Sequence, residues 1–82
     1  MADPSATGVV IETLHRYLDR AELTLDRPIG PDTLIGDVGA DSVALLQIHG
    51  LLEQETGRHI PTSAIFEHPS VGELARYLAT LG

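Results

Sequence analysis

The chain has 82 residues, and a domain of that length buries only about 60% of the surface its unfolded chain exposes, too little for an enclosed catalytic pocket to be the default expectation. Six Asp and six Glu against five Arg and no Lys give a net charge of -7, which repels phosphate backbones and anionic lipid, argues against nucleic acid and membrane as partners, and favours a partner with a basic patch. There is no cysteine, hence no disulfide, no thiolate metal site and no thiol nucleophile, as suits a reducing cytoplasm, and any thiol chemistry would need an imported sulfur.

The first residues, Met1 to Thr7, mix Asp, Pro, Ser and Thr without apolar periodicity and read as a flexible tail. They hold neither a basic start nor an apolar run, so neither a signal peptide nor a membrane span is expected, and a cytoplasmic location follows. The folded domain is expected over residues 8–82. From Val9 onward, Val10, Leu14, Tyr17, Leu18 and Ala21 recur at helical spacing with Glu12, Arg16, Asp19 and Arg20 between them, the pattern of an amphipathic helix ending near Asp19 to Glu22.

Between Leu23 and Asp41, Pro28, Gly30, Pro31, Gly36 and Gly39 break any regular element and predict a long loop. Leu25, Ile29, Leu34, Ile35 and Val38 are its candidate anchors, since unanchored loops longer than about 12–15 residues are uncommon in compact domains. Asp41 and Ser42 are both helix starters, and the run VALLQIHGLLEQET after them ends at Gly57, predicting a second helix. Its apolar residues exceed one stripe, because Val43 and Leu46 lie outside the face of Leu45, Ile48 and Leu52, which leaves a second patch for solvent or a partner.

After Ile60 and Pro61, TSAIFEH fits one or two helical turns before Pro69. Ser70 and Glu73 then form a capping box that opens a last helix through Leu74, Tyr77, Leu78 and Leu81. No segment alternates like a strand. The expected fold is all-α, a small bundle of three main helices plus one short helix. Its inward positions are Leu14, Leu18, Ile48, Leu52, Ile60, Phe66, Leu74 and Leu78, and truncating Phe66 is expected to cost roughly 3–5 kcal/mol.

Catalysis finds little support. Ser42, Asp41 and His49 resemble a hydrolase set in type, but Ser42 and His49 stand seven residues apart on one helix, about 10.5 Å along its axis, whereas a nucleophile and its base must come within about 3 Å. His15, His49, His59 and His68 occur singly, with no pairing of metal-ligand spacing, and read as surface or loop-packing residues. Gly36 and Gly39 are not followed by the Lys of a nucleotide-binding loop. Serine at a helix start is first of all a cap, worth about 0.5–2 kcal/mol.

The sequence around Ser42 points further. Gly39, Ala40, Asp41, Ser42 and Val43 match G-x-D-S-[LVI]. Leu51, Leu52 and Glu53, then Ile60 and Pro61, then Phe66 and Pro69, then the Leu-Ala-x-Tyr-Leu of Leu74 to Leu78 follow at matching spacing. Over Thr33 to Leu78 the chain closely resembles the carrier proteins of fatty-acid, polyketide and nonribosomal peptide synthesis. The resemblance implies a 4'-phosphopantetheine arm, taken from coenzyme A, on Ser42, with Asp41 as a recognition residue for the phosphopantetheinyl transferase and as a helix cap. It implies a monomeric, non-catalytic acyl carrier protein that delivers thioester-bound intermediates to a ketosynthase, an acyltransferase or other synthase enzymes. Ile35 to Ala40 lack the aromatic residues and Gly-Gly usual in peptidyl carriers, which favours acyl carriage, and the Phe-x-x-Pro and Leu-Ala-x-Tyr-Leu ending favours a polyketide-type carrier. A peptidyl or aryl carrier and an unmodified adaptor using Val43, Leu46 and Leu51 are the competing readings. A helix N-terminus suits an anionic phosphodiester, and partners are expected to grip Val43, Leu46, Gln47, Gly50 and Glu53, which share one side of the helix.

Overall fold

The structure, a computed structural model, describes residues 4–39 and 41–81. It contains α1 (Pro4–Ala21), α2 (Ile35–Val38), α3 (Ser42–Thr56), α4 (Ser63–Glu67) and α5 (Val71–Thr80). Among the described residues there is no strand, only one antiparallel bridge between Leu34 and Ser70. The all-α expectation with three main helices holds, with two short helices rather than one.

Helix α1 begins at Pro4, so residues 4–7, expected to be a tail, are helical, while Met1 to Asp3 lie outside the described residues. Proline at a first helical position forfeits no hydrogen bond, because that N–H has no partner within the helix, and its fixed φ is already helical. Val10, Leu14, Tyr17 and Leu18 are buried along one stripe. Thr13, also buried, donates its hydroxyl to the Val9 carbonyl at 2.7 Å, which satisfies it within its own helix. The helix closes with Leu23 N–H on the Leu18 carbonyl (2.9 Å) and Glu22 N–H on that of Asp19 (3.2 Å). Glu22 takes the left-handed conformation, φ 57°, that a glycine normally supplies in this motif.

The long connection is not unstructured. Ile35 and Val38 are buried through the single turn of α2, and Ile29 is buried before it. Leu34 is 47% exposed, against the expectation that it anchors the loop: it is held through its backbone, in the bridge to Ser70, with its side chain turned out. The loop is stitched to the start of α5 by Ile35 N–H on the Pro69 carbonyl (2.8 Å), Val71 N–H on that of Thr33 (2.9 Å) and Gly72 N–H on that of Pro31 (2.8 Å). Two of the first-turn amides that a helix leaves without partners are satisfied this way. Ser70 Oγ accepts the third, from Glu73 N–H, at 3.1 Å, and donates to the Glu73 carboxylate at 3.0 Å, so the reciprocal half of the box reaches the hydroxyl instead of the Ser70 amide.

Helices α1, α3 and α5 enclose one core that includes Leu14, Ile48, Leu52, Ile60 and Leu74, all at most 1% exposed. Seven of the eight expected core residues are buried. The exception is Phe66, 56% exposed. A one-turn helix has room for few inward positions, and Ala64 and Ile65 take them in α4. Arg16 on α1 reaches Glu55 of α3 at 2.8 Å, a surface tie worth at most about 1 kcal/mol.

Candidate functional site

The site is built on the first turn of α3. Asp41 is the N-cap: its backbone is extended (φ -145°, ψ 177°), its Oδ1 accepts from Ala44 N–H at 2.9 Å, and its carbonyl accepts from Leu45 N–H at 3.0 Å. Ser42 is thus the first helical residue rather than the cap, and its side chain is exposed. The capping contribution foreseen for Ser42 belongs to Asp41. What remains at Ser42 is a solvent-facing hydroxyl at the positive end of a 15-residue helix dipole.

Gly39 explains how the loop arrives there. Its φ of -101° is open to any residue, so conformational freedom is not the reason for glycine. A Cβ at this position would stand 3.1 Å from Ile48 Cδ1, 3.3 Å from Ala44 Cβ and 3.4 Å from Leu45 Cδ2. The chain presses against the first two turns of α3, and a side chain here would require Ile48 and Ala44 to give way by a few tenths of an ångström. Ala40 lies outside the described residues.

The other residues expected to form a site divide into two groups. Val43 (62% exposed), Leu46 (50% exposed) and Gln47 lie open on α3, with Gly50 half-buried beside them. Leu51, proposed for an adaptor patch, is buried. Glu53 is committed within the fold: its Oε2 accepts from Ile60 N–H at 2.8 Å and lies 3.2 Å from His59 Nδ1 and 3.8 Å from His49 Nε2. His49 Nε2–H also donates to the Ile60 carbonyl. Together they fix fully buried Ile60 against α3. The i, i+4 spacing of His49 and Glu53 was the available sequence signal for this knot; the Ile60 partner was not foreseeable from local pattern. His49, held there, is no base for Ser42.

The Ile60 N–H, reinforced by the two histidines against the cost of desolvation, holds the Glu53 carboxyl below its ordinary value of 4.5. A depressed carboxyl favours the fold above its unfolded pKa, and that contribution disappears as pH falls through the folded value. In thermal melts, Glu53→Gln is therefore expected to melt below wild type near neutrality, with the gap closing below about pH 4.5. A gap that stays constant with pH contradicts this role.

The residues of the first turn fit the covalent attachment of an anionic group: the hydroxyl of Ser42 is accessible, and the cap is supplied by its neighbour. Comparison with known proteins agrees with this. A family model described as "Phosphopantetheine attachment site" matches residues 9–78. The chain is 36% identical over 64 residues, 73% of its length, to a phenolphthiocerol synthesis polyketide synthase type I of Mycobacterium bovis. It is 44% identical over 45 residues, 55% of its length, to a spectinabilin polyketide synthase system protein of Streptomyces orinoci. It is 31% identical over 83 aligned residues, 95% of its length, to a non-reducing polyketide synthase of Floropilus chiversii. The chain spans only 3%, 2% and 4%, respectively, of the length of these relatives. No solved structure matches significantly. Among the described residues no helix is long and apolar enough to cross a membrane.

Proposed function

The chain belongs to the phosphopantetheine-attachment family, and on that premise we propose that it is an acyl carrier for polyketide intermediates, with Ser42 as the residue that bears the arm. The observation that carries this reading is the exposed Ser42 hydroxyl at the first position of α3, behind the Asp41 cap and inside the matched segment. Ser42 Oγ forms a new bond to the phosphorus that bears pantetheine, the phosphoanhydride of coenzyme A breaks, and adenosine 3',5'-bisphosphate leaves. The hydroxyl proton passes to a base on the transferase. Asp41 shapes the turn that this enzyme must recognise. When bound, the arm supplies the thiol that the chain lacks, and tethering raises the local concentration of its cargo at a docked enzyme. The domain itself performs no chemistry and acts as a monomer, with a phosphopantetheinyl transferase, a ketosynthase and an acyltransferase as its partners.

Partners dock on Val43, Leu46, Gln47 and Gly50 of α3. Glu53 lies along the same side, but its carboxylate is held by Ile60, so its contribution to docking is through charge alone. A small apolar contact on an acidic domain suits brief encounters, steered by charge and weakened by salt. Leu46 is half exposed, so Leu46→Asp leaves helicity and melting temperature near those of wild type, within about 0.5 kcal/mol for a surface site. Acyl transfer from the loaded variant to a ketosynthase is expected to be slower by about tenfold or more, the loss of one interface contact of about 1.4 kcal/mol. Transfer at the normal rate, or an unfolded variant, removes this face from consideration. The carrier role itself is tested by loading with coenzyme A and an acyl donor. The added mass must be lost to hydroxylamine in the part that corresponds to the acyl group, as a thioester requires.

A further inference from the structure

Arg16 and Arg20 stand one turn apart on the side of α1 that meets α3. Arg16 is engaged within the chain: it pairs with Glu12 at 3.2 Å and with Glu55 of α3 at 2.8 Å. Arg20 has no such partner. It lines an open groove of about 440 Å³ between α1 and α3, together with Tyr17, Gln47, Gly50, Leu51 and Gln54. Tyr17 and Leu51 are buried and form the floor, while Arg20, Gln47 and Gln54 are exposed along the rim. Asp19 and Glu22 flank Arg20 in sequence, yet no carboxylate lines the groove. Among the described residues, no ion pair or hydrogen bond engages the side chains of Arg20, Gln47 or Gln54. A chain of net charge -7 thus presents, at this one place, a guanidinium and two amides whose N–H donors have no partner of their own.

We propose that this groove is a socket for an Asp or Glu side chain of the enzyme that docks on α3, with Arg20 binding the carboxylate and the Gln47 and Gln54 amides as flanking donors. The socket rests on the reading of Val43, Leu46, Gln47 and Gly50 as the docking face, and it fixes the sign of the partner's charge at one point. Gln47 and Gly50 belong to both face and groove, so a partner seated on the face covers the groove as well. A guanidinium holds a carboxylate through two parallel N–H donors, and a docked partner excludes the water that weakens such a pair on a free surface. Gly50, where a Cβ would meet no heavy atom within 4 Å, leaves the centre open to the incoming side chain. The carboxylates of α3 do not compete for Arg20, because Glu55 is held by Arg16 and Glu53 by the Ile60 amide. The overall charge draws in a basic partner from a distance, whereas this contact requires an acid on it. An enzyme that has both is preferred over one that is merely basic.

Steering and socket make opposite demands on one variant. Arg20→Gln makes the chain more acidic by one charge, and so does Arg76→Gln at an exposed position of α5 outside the groove. Both are loaded with the same acyl arm, with intact mass confirming complete loading and circular dichroism confirming unchanged helicity. They are then offered to a ketosynthase that accepts the acyl group of the loaded wild type. The expected result is a kcat/KM for Arg20→Gln lower by about fivefold or more, carried by KM, with Arg76→Gln equal to wild type or slightly faster, as steering alone predicts for both. Arg20→Lys keeps the charge without the fork and is expected to lie between. On a chain without lysine it also introduces the one side-chain amine, which a carbodiimide condenses with a nearby Asp or Glu of the ketosynthase. Peptide mass spectrometry is expected to find that intermolecular amide with Arg20→Lys and not with Arg76→Lys. Equal rates for Arg20→Gln and Arg76→Gln, or no excess of cross-link from position 20 over position 76, overturn the socket and leave the attachment and docking readings intact. Normal transfer by Leu46→Asp overturns the docking face, and failure of wild type to gain mass overturns the attachment reading, each taking the socket with it.

Discussion

Ser42→Ala is expected to gain no mass at all with coenzyme A and a broad-specificity transferase, under conditions that convert the wild type completely. Its stability should stay within about 0.5 kcal/mol of wild type, as for a surface substitution away from special features. The reason is local. The cap of α3 is the Asp41 carboxylate on Ala44 N–H, and alanine is a good residue for the first turn that Ser42 occupies. Asp41→Ala is the informative companion, because losing the cap costs about 0.5–2 kcal/mol. For a domain of this size that corresponds to a melting temperature lower by about 4–8 °C per kcal/mol. If Ser42→Ala destabilises and Asp41→Ala does not, the assignment of the cap is wrong.

Leu52→Ala and Phe66→Ala are expected to separate widely in denaturant melts. Leu52 is fully buried between the main helices, and its truncation costs about 2–5 kcal/mol through lost transfer energy and the cavity left behind. At roughly 0.05–0.15 kcal/mol per residue the whole fold is stable by only about 4–12 kcal/mol, so Leu52→Ala removes a large part of it. Phe66, at 56% exposure, is expected to cost under about 1 kcal/mol. Comparable losses at the two positions would contradict the placement of α4.

How far the fold was legible varies along the chain, and the reasons are physical. The stripes of Val10, Leu14 and Leu18 and of Leu74 and Leu78 repeat over several turns, so their period announces both helix and buried face. Helix α4 is a single turn, too short for any period to define a face, so the placing of Phe66 among the inward positions of the helical periods has no repeat behind it. Leu34 was misread for a similar reason: it is held through its backbone, in the bridge to Ser70, a contact between segments that no local pattern encodes. Helix α2 was hidden because Gly36 and Asp37 make its turn look like loop. The early start of α1 was hidden because residues 4–7 carry no apolar stripe, although Pro4 is a recognised opening residue.

The candidate site shows the same division. The motif from Gly39 to Val43 was visible in sequence and led to Ser42. Which of two adjacent cap-forming residues bonds the helix was not, because Asp41 and Ser42 are equally suited to it. Glu53 was read as a docking charge because it lies on the exposed side of α3. Its occupation by the Ile60 amide depends on how the chain returns after Gly57, which only the tertiary structure supplies. Arg20 entered the sequence reading as one charged spacer of α1, and its position opposite Gln47 and Gln54 depends on the rotation of α1 against α3.

The attachment residue is most directly tested by proteolysis and fragmentation of the loaded wild-type chain, which carries four serines, Ser5, Ser42, Ser63 and Ser70. The expected result is a single phosphopantetheine on the peptide that contains Ser42, with fragment ions placing it on that residue and the other three serines unmodified. A phosphopantetheine on any other residue, or a chain that stays unmodified while a known carrier in the same tube is converted, would contradict the assignment of Ser42.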